Sequence, residues 1–128
     1  QVSGTGAAGG LGGGAAAFLN AKINSGTETL ISITKLYDKI KSSNLIITGE
    51  GQVDTQSIQG KLVDGICKIA KKHNVPVWVI CGASEIQETT LAALGVKKVV
   101  ELVNTKTTTG YAIQHAELLI EKRIKACF

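Results

Sequence analysis

Aromatic side chains are scarce in this chain, with two Tyr, two Phe and one Trp among 128 residues. A core of ordinary size must therefore be aliphatic, which favours layered α/β packing over an aromatic-rich β-sandwich. Arginine is scarcer still, since Arg123 stands alone beside thirteen lysines that account for most of the net charge of +4. Lysines fall in pairs, Lys71-Lys72 and Lys97-Lys98, as solvated element ends do. Without an arginine cluster or interleaved aromatics, the charge gives no footprint for nucleic acid, although it suits anionic small molecules. The three cysteines (Cys67, Cys81 and Cys127) have no metal-ligand spacing, and an odd count argues against a disulfide framework. They read as small buried hydrophobes in a reducing compartment. No apolar run approaches the roughly 18 residues that a membrane span needs. No signal-peptide pattern follows Gln1. The expectation is a cytoplasmic, soluble domain with no membrane or nucleic-acid partner.

What the chain does have is glycine, fifteen in all, with seven of them in its first fourteen residues. A G-x-G-x-x-G match at Gly4, Gly6 and Gly9 has only Gln1-Val2-Ser3 before it, so the strand that a dinucleotide fingerprint requires is missing. The stretch reads instead as a glycine loop entering a helix over about 11–21, with Leu11, Ala15, Phe18 and Leu19 on one face. Such a loop offers backbone N–H groups to an anion or simply allows close helix packing. Ser25-Gly-Thr-Glu28 has the capping-box pattern, and Leu30, Ile31, Ile33 and Leu36 would supply the buried face of the helix after it.

From Leu45 a β-α rhythm sets in. Strands are expected at 45–48, 75–81 and 98–102. Helices are expected over about 57–72, from a capping box at Ser84–Gln87 to about Leu94, and from about 109 onward with Ala112, Ala116, Leu119, Ile120 and Ile124 inward. Three such units imply a parallel sheet whose strand ends after Thr48, Cys81 and Val103 open on one edge.

The segment from Leu45 to Lys61 concentrates the chemistry. An apolar strand meets a Gly49-Glu50-Gly51 turn, a polar loop with Asp54, Thr55 and Ser57, and a helix start with Lys61. That order suits an anion site at the carboxyl end of a parallel strand. Asp54 could hold a metal ion or accept a substrate proton in phosphoryl transfer, or it could merely cap the helix. Glu50, between two glycines, is hard to explain as packing. Lys61 could reach phosphate oxygens, or be a solvated helix lysine. Walker A is excluded, because Leu62 follows Gly60-Lys61 and Thr55 stands where its first glycine would be. Neither a nucleophile elbow nor a partner for His73 or His115 is in view, which leaves a serine triad without support.

Two stretches taken together resemble the bacterial-type ATP-dependent glycerate kinases. One is Gly6-Ala-Ala-Gly-Gly-Leu-Gly12 followed by Ala16-Ala-Phe-Leu19; the other is Thr48-Gly-Glu-Gly51, Asp54, Gln56 and Gly60-Lys61, then Asn74-Val-Pro-Val77. The family usually has a basic residue where Gln52 stands and often a proline where Val63 stands. The resemblance implies transfer of the γ-phosphate of ATP to D-glycerate with Mg²⁺, in a cleft between two domains. It implies that residues 1–43 are the tail of a middle domain. Residues 44–128 would then be half of a Rossmann-like sheet, with the amino-terminal half of the same protein as partner and the isolated chain inactive. Asp54, Glu50 and Lys61 are the expected catalytic residues, with Asp54 also the metal ligand. Gly6, Gly9, Gly10, Gly12, Gly49, Gly51, Thr55 and Ser57 are expected around substrate and phosphate. A non-catalytic anion- or nucleotide-binding module and a purely structural domain are the alternative readings.

Overall fold

The computed structural model describes residues 4–55 and 62–128. A 3-10 turn at Ala7–Gly10 opens into helix α1 (Leu11–Leu19), followed by α2 (Gly26–Ile33) and α3 (Leu36–Lys41). Strand β1 (Ile46–Val53), helix α4 (Leu62–Lys72), β2 (Val77–Ser84), α5 (Glu88–Ala93) and β3 (Val96–Glu101) alternate before α6 (Thr109–Gln114) and α7 (Ala116–Lys125). The strands form one parallel sheet in the order β1-β2-β3, as the β-α rhythm requires. Among the described residues, no helix is long and apolar enough to cross a membrane.

The middle strand anchors the core. Val77 and Val79 are fully buried and Cys81 almost so. Alternation along β2 puts all three on one face, which α4 covers with Val63, Ile66, Cys67 and Ala70 at helical spacing. Each such valine contributes roughly 1.5–3 kcal/mol relative to an exposed one. On the opposite face Ile80 and Val103 pack with Leu102, Ala112 and Leu119. Helix α4 ends in a left-handed Asn74, after which the Val75 N–H donates to Ala70 O at 3.0 Å. That bond closes the helix and aims the chain through Pro76 into β2. Leu36 and Ile40 of α3 belong to this same core.

Several local expectations are corrected. The Gly-Glu-Gly segment is not a turn: β1 runs through it to Val53, and β2 runs past Gly82 to Ser84. The two strands continue side by side because Gly82 lets its backbone close up on that of Gly51. A Cβ on Gly82 would lie 2.5 Å from Gly51 O. The Ser84 capping box gives way for the same reason, since Ser84 is still paired with Val53. Its hydroxyl accepts from the Ile86 N–H at 3.4 Å, and α5 begins only after Gln87. The last helix is broken at His115 into α6 and α7.

In α2 the inner face is Thr27 and Ile31, which close on Gly65 of α4, so Leu30 and Ile33 point outward. Ser25 does cap it, accepting from the Glu28 N–H at 3.4 Å. Helix α1 packs on the turn before it, leaving Leu11, Phe18 and Leu19 more than two-thirds exposed. The face expected to be buried therefore has no cover in the described chain.

Candidate functional site at the carboxyl edge of the sheet

The carboxyl ends of β1 and β2 are matched residue for residue. Glu50 pairs with Cys81, Gln52 with Ala83 and Val53 with Ser84. Continuing that register sets Asp54 beside Glu85, on backbones about 4.8 Å apart. Burial alternates along β1 from Ile46 to Gly51 and breaks at Gln52, which is exposed, while Val53 is fully buried with Val77 and Val79. Val53 is locked into the core, and Asp54 emerges half-buried directly after it, with Thr55 exposed beyond.

Three contacts hold this edge. The Glu85 N–H donates to Val53 O at 2.9 Å, and Gln52 Nε2 donates to Glu85 Oε1 at 2.6 Å. From the third strand, Glu101 Oε2 accepts the Ser84 N–H at 3.1 Å. Beside the edge lies a groove of about 770 Å³ between β1, β2 and the helices α6 and α7. Its floor is backbone at Gly49, Gly51 and Gly82, and its far wall is Ala112, Ile113 and Ala116. A flat glycine floor beside an apolar wall leaves strand N–H and C=O groups within reach of a ligand.

Of the expected site residues, the groove takes Gly49, Glu50 and Gly51, while Asp54 and Thr55 follow on the chain just after β1 and do not line it. Glu50 is half-buried on β1 opposite Cys81, four residues of extended chain before Asp54. At strand rise the separation of the two is about 13 Å. Ser57 and Lys61 lie outside the described residues. Gly6, Gly9, Gly10 and Gly12 belong to the amino-terminal turn, which closes largely on itself. There the Ala7 N–H donates to Gly4 O at 3.1 Å and the Gly13 N–H to Thr5 O at 3.0 Å. Ala8, Gly9 and Gly10 are successively left-handed, and Ala8 (φ 52°) holds that conformation with a side chain attached. Backbone held in this way costs on the order of 1 kcal/mol and is found most often at functional sites. The groove takes no residue from this turn.

Of the two buried thiols, Cys81 lines the groove and Cys67 lies in the core on α4. Burial, and secondarily the charge of Glu101, pushes Cys81 up to about 11. Burial together with Asp64 does the same to Cys67, also to about 11. Both are neutral at physiological pH and are poor nucleophiles or metal ligands. Among the described residues no cluster of three or more His, Cys, Asp or Glu side chains is placed to hold a metal ion.

Sequence reasoning missed Gln52, Glu85 and Glu101. A signal for one of them was present. Glu85 stands three residues after Gly82 as Asp54 stands three after Gly51, so the first two β-α units end alike.

A family model described as the glycerate kinase family matches residues 1–128. The chain is 36% identical over 122 residues to a glycerate kinase of Halalkalibacterium halodurans, covering 95% of this chain and 32% of that protein. It is 45% identical over 83 residues to glycerate 2-kinase of Escherichia coli, covering 65% and 22%. The fold matches the crystal structure of a provisionally assigned glycerate kinase 2 from Salmonella typhimurium LT2 with a TM-score of 0.66 at 34% identity, over 97% of this chain and 32% of that one. The chain thus spans about a third of the length of the relatives it matches. From the glycine-edged parallel strands to the match along its full length, the chain belongs to the glycerate kinase family.

Proposed function

We propose that this chain is the sheet-bearing part of a kinase that transfers the γ-phosphate of ATP to D-glycerate, giving phosphoglycerate. It would work in the cytoplasm, joined to the remaining two-thirds of a protein as long as its relatives. The observation that carries the reading is Asp54, half-buried directly after β1 at the carboxyl edge of the sheet, in a chain matched throughout by this family.

The residues fit Mg²⁺ in a limited way. Asp54 supplies one carboxylate and the described chain adds no three-ligand cage. Mg²⁺ in phosphotransferases is held by one or two carboxylates together with substrate phosphates and water, so one is enough. The bound ion would neutralise charge on the phosphoryl group in transit. Asp54 either holds it or accepts the proton of the attacking glycerate hydroxyl. Lys61 and Ser57 follow on the same segment and are assigned to the phosphate oxygens, together with Thr55 and the backbone at Gly49 and Gly51. Glu50, further back along β1, is assigned to the groove side of the site. Gly6, Gly9, Gly10 and Gly12 are assigned to a second wall, carried by residues 1–43 as the tail of a middle domain, with 44–128 as the sheet portion. Leu36 and Ile40 of α3, buried in the sheet core, would then join the two portions.

The test is Asp54→Ala in the complete enzyme. Turnover of D-glycerate with MgATP should fall by about 10²-fold or more while nucleotide binding is largely kept. Unchanged turnover would refute the assignment; a stable protein that binds ATP but never phosphorylates glycerate would mark a non-catalytic module. Residues 1–128 alone should give no ADP release with D-glycerate and MgATP.

A further inference from the structure

Asp54 can serve phosphoryl transfer only if the strand end beneath it stays in place. Among the described residues the sheet neighbour of β1 is β2. Gly51 brings no side chain, and the alternation of β1 breaks at the next residue, Gln52. Beyond the strand pairing and the burial of Val53, one residue of the neighbouring strand end contacts both of the last two residues before Asp54. Glu85 holds Val53 through its N–H (2.9 Å to Val53 O) and Gln52 through its carboxylate (2.6 Å from Gln52 Nε2). Glu85 is in turn fixed from the other side. Ser84, immediately before it, gives its N–H to Glu101 of β3 and accepts the Ile86 N–H on its hydroxyl. A continuous set of bonds therefore runs from β3 through Ser84 and Glu85 to Gln52 and Val53, the two residues directly before Asp54.

We propose that Glu85 is a positioning residue for Asp54, acting through Gln52 and Val53 to set where the Asp54 carboxylate stands during catalysis. The inference rests on the kinase reading given above. It adds a residue to that mechanism that touches no substrate. A carboxylate accepting from an amide is a charge-assisted bond, stronger than a neutral pair and directional. Displacement of a reacting group by about 1 Å is enough to cost up to about 10²-fold in rate. Stability should depend on this bond little, because both side chains are exposed and the backbone bond to Val53 survives any change of the Glu85 side chain.

The experiment is a charge-exchange cycle in the complete enzyme, read by kcat, KM for glycerate and MgATP, and thermal midpoint. Gln52→Glu sets two carboxylates against each other and should lower kcat about tenfold or more, with each KM within about twofold and the thermal midpoint nearly unchanged. Glu85→Ala should lower kcat in the same way. The double variant Gln52→Glu/Glu85→Gln restores one carboxylate and one amide with their places exchanged. It should recover most of the lost kcat. A Gln52→Glu enzyme with normal kcat, or a double variant no better than Gln52→Glu, would overturn the proposal. So would losses that track the thermal midpoint, since these would mark Glu85 as structural only. The failure of the kinase reading looks different: Asp54→Ala would leave turnover intact, or the unaltered enzyme would not turn over glycerate.

Discussion

Adding one methyl group at Gly82 should do more damage than adding one at Gly51, although the two glycines lie side by side on paired strands. A Cβ on Gly82 would meet Gly51 O at 2.5 Å, a distance that real Cβ atoms do not adopt, and the atom in the way is backbone. Relief requires β1 and β2 to separate at their carboxyl ends. That separation stretches the bonds from Glu85 to Val53 and Gln52 and disturbs the burial of Val53. Overpacking without a flexible neighbour costs about 1–3 kcal/mol. Weakening one or two hydrogen bonds adds about 1 kcal/mol. Gly82→Ala should therefore destabilise by roughly 2–4 kcal/mol. A Cβ on Gly51 meets nothing within 4 Å. Gly51→Ala should be neutral or stabilise by about 0.5 kcal/mol through the unfolded chain. With an unfolding entropy of about 2.1 cal/mol/K per residue, 1 kcal/mol shifts the midpoint of a chain this long by about 4 °C. The two variants should thus differ by about 8–16 °C in thermal midpoint, and by a matching offset in urea. Equal midpoints, or a lower one for Gly51→Ala, would refute the close-approach account of this strand pair.

The close approach of α2 to α4 gives a second case, because a Cβ on Gly65 would lie 2.6 Å from Thr27 Cγ2 and 3.2 Å from Ile31 Cδ1. Gly65→Ala should cost about 1–2 kcal/mol by urea denaturation, and Thr27→Ser, which removes the offending methyl and keeps the hydroxyl, should recover most of it. The buried thiols give a pH dependence. Cys67 and Cys81 are raised from 9.0 to about 11 in the folded chain, so their contribution is fully present below pH 9 and is lost as pH rises through 11. Each accounts for on the order of 2–3 kcal/mol over that window, and Cys67→Ala/Cys81→Ala should flatten the fall of the urea midpoint between pH 9 and 11.

Element types were legible where one local signal sufficed. The alternation of β2, the helical spacing of Val63, Ile66, Cys67 and Ala70, and the left-handed stops at Asn74 and Gly95 are all properties of a single window. Boundaries failed where the deciding partner was distant in sequence. Leu30 and Ile33 looked like an inner face until Gly65, more than thirty residues on, drew Thr27 and Ile31 inward instead. Phe18 and Leu19 looked buried because helical spacing reports amphipathicity, and amphipathicity does not say whether a cover is present. In the candidate site Asp54 could be found from its place after a strand. Glu85 could be found only by aligning the ends of two successive β-α units.

The failure at Gly49-Glu50-Gly51 is the instructive one. Glycine weakens a strand taken alone, so a window containing two of them reads as a turn. What overrides this is a condition on the neighbouring strand, which offers Gly82 where the backbone of Gly51 comes close. Neither glycine signals this by itself, and a side chain at Gly82 abolishes it. The arrangement also explains why the candidate chemistry sits here. Where two strands close up without side chains between them, their backbone lies bare along the groove and the next residues leave the sheet from fixed points. Asp54 and Glu85 are those residues. The strand contact at Gly82 bears on both fold stability and the place of the carboxylate, whereas the exposed Gln52–Glu85 bond bears on the carboxylate alone, so the two perturbations should separate in their effects. Gly82→Ala should lower the unfolding midpoint and turnover together, and changes at the Gln52–Glu85 pair should lower turnover almost alone.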